Sequence, residues 1–296
     1  MIQFIKYRMW IAISSMLFLG FFLVSALYHY SQQGKVFLYS IDFTGGTQVL
    51  LKSSSALQSD AIRTRLSEYG WQNVDIRFSS NNECIIKVQD FASDAKGLGE
   101  KIKQAVQETV TEGTVELLQS EGVGPGIGES LRMKSLRAII VSLIAMLFYI
   151  AFRFWSFAFA IGAVIALLHD AIAMLAMLYF FNKEISMNVI GAILAVLGYS
   201  INDTIVIFSR IRQDLARNTN KPLDEVVNES INRTLTRTML TSISTALPVI
   251  AMLLFGGEAL YNFSFVLIVG IIFGTYSSVY IASPIMMLFY DEDKNK

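Results

Sequence analysis

Six stretches of this 296-residue chain, 9–28, 138–152, 154–181, 185–208, 238–257 and 259–290, carry no charged side chain or almost none. A hydrocarbon core about 30 Å thick offers no water to a bare backbone, and roughly 20 apolar residues in a helix both cross it and satisfy every peptide group internally. Six membrane-spanning helices are therefore predicted. The second stretch is short and needs Leu136 and a snorkelling Arg137, while the sixth is long enough to tilt, with Pro284 placed to bend or end it. Composition agrees: 53% hydrophobic residues against 16% charged, with a mean hydropathy of +0.49, exclude a soluble protein of this length. The first stretch follows Lys6 and Arg8 and could pass for a signal peptide. Its apolar run of about twenty residues exceeds the roughly 7 to 15 of a signal core, so an uncleaved anchor is expected.

Orientation follows the positive charges. Lys6, Arg8, Arg153, Arg210, Arg212, Arg217, Lys221, Arg233, Arg237, Lys294 and Lys296 fall on one side of the spans, which is then cytoplasmic, with both termini inside. Lys183, Arg132, Lys134 and Arg137 fall opposite and are the exceptions. The formal net charge of zero gives no support for nucleic-acid binding, and the lone Cys84 permits no intramolecular disulfide.

The domain reading is a cytoplasmic N-terminus and first helix over 1–30, an outer domain over 31–134, helices two to six over 135–290 with a cytoplasmic segment at 209–236, and a tail at 291–296. In the outer domain "VFLYSIDFTGGTQVLLKS" reads as strand, glycine turn and strand, and Leu57, Ile62, Leu66 and Tyr69 lie near helical spacing before Gly70. Two alternating strands about a polar turn, a second helix over 96–113 and a last strand at 114–120 follow. The order β-α-β-β-α-β predicts a small α+β domain of ferredoxin-like type. In the cytoplasmic segment, Pro222 suits a helix start, and Leu223, Val226, Val227, Ser230, Ile231 and Leu235 form a stripe. That stripe suits an amphipathic helix on the membrane surface, or one that docks a partner.

Asp203 is the residue that most demands an account. Seven residues before Arg210, it lies roughly 10 Å inside the cytoplasmic boundary, where a carboxylate must be paired, protonated or hydrated. On the fifth span Arg233, Arg237, Thr241 and Thr245 recur at i, i+4, and Arg237 and Thr241 fall near its depth. Two readings stand open: a proton-responsive switch, in which the carboxylate alternates between an ion pair with Arg237 and a protonated state, or a static polar link between helices. His169 and Asp170 sit in mid-span but point about 100° apart on a helix, which keeps them off one face. They are open to a second relay position or a packing role, as is Asn202, whose Asn-x-Thr match is otherwise a chance one. Gly191, Ala195 and Gly198 line a face suited to close helix packing. "GVGPGIGES" fits no phosphate-binding pattern and reads as a stiff hinge into the second span. His29, His169 and Cys84 show no metal-ligand spacing, and no nucleophile has a histidine nearby in sequence, so no metal, cofactor or enzymatic activity is expected.

"IDFTGGTQ", "GVGPGIGESL", "LLHDAIAM", "GYSINDTIVIFSRIR" and "INRTLTRTMLTS" together are highly specific, and on them the chain resembles the SecF family of the SecD/SecF accessory complex of the bacterial Sec translocase, which is related to the resistance-nodulation-division transporters. The resemblance covers essentially the whole chain. It implies an inner-membrane protein with a periplasmic domain, paired with a SecD-like subunit and working with the Sec channel on unfolded preproteins. It also implies that inward proton flow drives late export, with the proton-responsive aspartate at Asp203, the arginine of a T-x-x-R-T pattern at Arg237 and the threonine one turn later at Thr241. Six spans and one outer domain match half of a transporter of that superfamily, so a second half is expected. A half-size proton-coupled exporter of small molecules and a purely structural assembly subunit are the alternatives; the outer domain is too small for the drug chambers of the former.

Overall fold

A computed structural model describes residues 1–55, 57–71, 74–78, 82–91, 94–110, 113–217 and 220–290. Most of the predicted polar turn near residue 80 and the 291–296 tail lie outside them. The chain divides into two compact units, Met1–Leu38 with Arg137–Lys296, and Tyr39–Leu136.

Helix α1 (Arg8–Gln33) opens the first unit and ends at Gly34, whose left-handed φ of 68° stops it. After β1 (Leu38–Tyr39) comes a correction to the predicted strand–turn–strand. Ser40 caps a one-turn helix, α2 (Ile41–Thr44), and only then does β2 (Gly46–Ser53) begin, so β1 is no part of the main sheet. The second unit continues with α3 (Ser59–Glu68), β3 (Asp75–Phe78), β4 (Glu83–Val88), α4 (Ala95–Gln107) and β5 (Val115–Val123). The four strands lie in the antiparallel order β3-β4-β2-β5, with Val49 opposite Ile86 and Ser120. Alternation along the strands turns Val49, Leu51, Cys84, Ile86 and Val88 inward against Ile62 and Leu66 of α3 and Ile102, Ala105 and Val106 of α4. Tyr69, placed on the apolar stripe by spacing, instead stacks on Trp71 at the surface and donates to Glu108 at 3.1 Å.

The second span is α5 (Pro125–Phe154), twice as long as its charge-free run because Arg132, Lys134 and Arg137 lie within the helix. The glycine-rich stretch is therefore no hinge: Gly122 sits in β5, and Gly126 and Gly128 in the first turns of α5. Gly128 has a steric reason, since a Cβ there would meet the Phe43 carbonyl oxygen at 2.8 Å. The remaining spans are α6 (Phe157–Phe180), then beyond a short β6 (Glu184–Ile185) the long α7 (Met187–Arg217) and α8 (Leu223–Phe255), and last α9 (Gly257–Ser277) and α10 (Ser283–Phe289) joined by a π turn, Ser278–Ala282. That turn, not Pro284 itself, interrupts the sixth span. Six helices are long and apolar enough to cross a membrane.

Helix α8 runs without a break from the expected cytoplasmic segment into the fifth span, with Asp224 and Glu225 in its first turn beside the positive helix end. The stripe predicted to lie on the membrane surface is buried in protein instead: Val226, Val227, Ser230 and Ile231 are inaccessible. No glycine or proline separates 223 from 247, so nothing in the sequence bends the helix flat. Close packing of the interior helices rests on glycines other than those singled out by spacing. A Cβ at Gly270 would come within 2.4 Å of Val196, and one at Gly274 within 2.9 Å of Ser200, so it is α9 that lets α7 approach. At Gly191 and Gly198 a Cβ would meet nothing within 4 Å. Helices α6, α7 and α9–α10 form the interior, whereas α1, α5 and α8 bury only 17%, 11% and 11% of their most apolar windows.

Candidate functional site

Asp203 projects from the buried face of α7, between Ser200 and Ile207, and is 2% exposed. Its Oδ2 has no hydrogen-bond partner among the described residues, nor has the hydroxyl of Thr238 on the facing helix. Two side chains of α8 bear on the carboxyl, Thr241 through its hydroxyl and Arg237 through its charge. No hydrogen bond of ordinary length and no ion pair closes the contact among the described residues. The Thr241 hydroxyl instead lies within reach of two carbonyls of its own helix, Arg237 at 3.1 Å and Thr238 at 2.9 Å. The three residues brought together by depth in the sequence are thus neighbours, in an arrangement that leaves carboxylate capacity unused.

Arg237 is kept free for this contact by a pairing that spacing alone did not reveal. Asp214, 2% exposed at the end of α7, accepts from Arg210 Nε at 2.9 Å, Ser230 Oγ at 2.9 Å and Arg233 Nη1 at 3.2 Å. Two arginines of the basic stretch are thereby occupied, while Arg237 takes part in no ion pair among the described residues. A signal was present, because Arg210 and Asp214 are four residues apart on one helix face. A groove of about 370 Å³ runs between α7 and α8 here, lined by Ser209, Arg210, Gln213, Arg233, Thr234 and Arg237. Above it Gly191, Ala195, Gly198 and Asn202 continue the same exposed face of α7, so Asn202 points away from Asp203.

His169 and Asp170, kept apart by helical spacing, belong to one buried network. His169 Nδ1 lies 3.3 Å from Asp170 Oδ1, because the ring turns back over the next residue, and its Nε2 lies 2.9 Å from Ser15 Oγ of α1. Ser15 in turn meets the Tyr276 hydroxyl at 3.0 Å. Asp170 Oδ2 accepts from Ser200 Oγ at 2.6 Å and Ser277 Oγ at 2.9 Å, joining α6, α7 and α9. Beside it Thr204 Oγ1 meets Ser278 Oγ of the π turn at 2.8 Å. Serines in apolar helices leave no periodic trace, which is why the sequence did not connect them. No cluster of three or more His, Cys, Asp or Glu able to hold a metal occurs among the described residues.

The family described as "Protein export membrane protein SecD/SecF, C-terminal" matches residues 101–292. Among similar proteins, the protein translocase subunit SecF of Pseudomonas aeruginosa is 36% identical over 84% of this chain and 80% of its own length. That of Thermodesulfovibrio yellowstonii is 35% identical over 92% of this chain and 89% of its own. The crystal structure of SecDF from Thermus thermophilus, described as a translocon-associated membrane protein, superposes with a TM-score of 0.83 at 33% identity. It covers 100% of this chain, which spans 39% of that one.

Proposed function

The chain belongs to the SecD/SecF family of protein-export membrane proteins, and from that premise we propose that it serves as the SecF-type half of a proton-driven accessory unit of Sec-dependent export. The observation that carries the proton role is the unpartnered Oδ2 of buried Asp203 facing Thr241 and Arg237. In the ionised state the carboxylate draws on the Arg237 charge and takes the Thr241 O–H as donor. In the protonated state its own O–H is the donor, Thr241 Oγ1 is the acceptor, and the threonine hydroxyl returns to the carbonyls of Arg237 and Thr238. Each state has a distinct and satisfied arrangement, and a proton moved across the full membrane potential is worth about 2.3 kcal/mol per 100 mV. That sum biases a two-state rearrangement by more than tenfold.

The partner half is a SecD-like six-helix chain. Support comes from the exposed face of α7 carrying Gly191, Ala195, Gly198 and Asn202, which has the small residues that close helix approach requires and no neighbour within this chain. The Tyr39–Leu136 unit is then the periplasmic domain, and its β-α-β-β-α-β order with sheet β3-β4-β2-β5 fits the ferredoxin-like type. The substrates are unfolded preproteins leaving the Sec channel, and both termini are cytoplasmic.

Asp203→Asn tests the reading, since it keeps size and polarity but cannot titrate. In inner-membrane vesicles the variant should assemble with its SecD-like partner at normal level and lose the stimulation of export by the proton gradient. Export that still responds fully to the gradient would make the carboxylate a polar link and the subunit a structural one.

A further inference from the structure

Two ionisable side chains in the middle of a spanning helix are costly to keep and call for a reason. We propose that His169 and Asp170 form a second proton-binding site of the membrane unit, which takes up one proton and passes between net charges of −1 and 0. The inference rests on this network alone and holds whatever Asp203 does.

Three features of the geometry carry it. First, the pair is sealed: Asp170 is inaccessible and His169 is 6% exposed, so the missing charge must be supplied by a partner or by a proton, and no Lys or Arg is among the printed partners of either residue. Second, the surrounding hydroxyls can serve both states. With the site empty, Ser200 and Ser277 donate to Asp170 Oδ2, Nδ1–H of His169 donates to Oδ1, and Ser15 donates to Nε2. An incoming proton binds Nε2 from the Ser15 side while the Nδ1 proton passes to Oδ1, so one N–H and one O–H form and one N–H breaks. Ser277 then turns to its alternative acceptor, the Gly274 carbonyl at 3.1 Å, and Ser15 accepts from Nε2–H. Third, the network ends on the π turn through Ser277 and Ser278, and such turns recur at functional positions because they leave backbone groups free to re-pair.

The site is also placed to sense Asp203, since Ser200, a donor to Asp170, lies one turn before it on α7 and Thr204 follows it. The other titratable groups facing the pair are Tyr276 from α9 and Tyr280 from the π turn, with Arg8 and Asp224 paired at 2.9 Å at the far end of the crevice that Ser15 and His169 line.

The test is infrared spectroscopy of the full chain in lipid, titrated with acid, with Asp203→Asn and His29→Gln present so that His169 is the one imidazole. A protonated-carboxyl band from a non-aqueous site should grow together with imidazole changes at one common midpoint, and Asp170→Asn should abolish it. Should Asp170→Asn fail to fold, His169→Gln keeps hydrogen bonding to Ser15 and Asp170 without titrating, and should displace the carboxyl midpoint. The proposal is overturned by a carboxyl band that survives Asp170→Asn, by its absence once Asp203 is replaced, by separate carboxyl and imidazole midpoints, or by a midpoint that His169→Gln leaves in place.

Discussion

At the scale of single residues, burial decides behaviour. Burial pushes the Cys84 thiol up to about 12, so in the native protein it should resist alkylation at pH 8 and react fully in denaturant, as mass spectrometry would show. In the same unit, hydrogen bonds from Arg65 foremost, with Tyr69, hold the Glu108 carboxyl below its ordinary value, while Arg65 also pairs with Glu68 at 2.5 Å. A depressed folded value means that the contact contributes above the ordinary glutamate range and is lost as pH falls through the folded value. Glu108→Gln should therefore lower the melting temperature near neutral pH and flatten its fall in acid. Asp203, Arg237 and Thr241 were legible in the sequence because a charge at that depth stands out against its apolar neighbours. Asp214 was not, since it lies among interfacial charges, and Ser15 and Ser277 were not, since a serine in a span costs too little to attract notice.

At the scale of helices, the two sets of glycines make opposite demands. Gly274→Leu drives a side chain into Ser200 and should cost roughly 1 to 3 kcal/mol by overpacking, read as a lower midpoint of detergent-induced unfolding. Gly198→Leu meets open space and should leave that midpoint unchanged while reducing co-purification of a SecD-like partner, if the exposed face of α7 is where that partner packs. The existence of six spans was legible from hydropathy, but their ends were not. Helix α5 extends past three charged residues and α8 extends outward through the whole basic segment, because backbone pairing and packing continue where apolarity stops. Which glycines face protein was equally hidden, for spacing gives a stripe without saying what lies opposite.

At the scale of the whole molecule, the two units differ in what they need. The Tyr39–Leu136 unit has its own core of Val49, Leu51, Ile62, Leu66, Ile86, Ile102 and Val106, so residues 39–124 expressed alone should give a soluble fragment with a cooperative melt. A fragment without one would show that this core depends on its surroundings. The predicted order of its elements was legible from alternation and turn residues, whereas α2 was not, because a single capped turn is shorter than any periodicity can reveal. Orientation can be read on the same chain: with Cys84 silent, an impermeant thiol reagent on intact cells should label Ser54→Cys and spare Glu225→Cys. The reverse pattern would invert the topology drawn from the positive charges.

The π turn at Ser278–Ala282 has a genetic meaning. It holds one residue more than a regular helix would, and losing any one codon there would turn everything after it by about 100° and draw it in by about 1.5 Å. Met286, inaccessible now, would swing away from Gly162, where a Cβ would already stand 3.1 Å from it. These five positions thus behave as a reading frame within the helix, tolerant of many spellings and of no change in length.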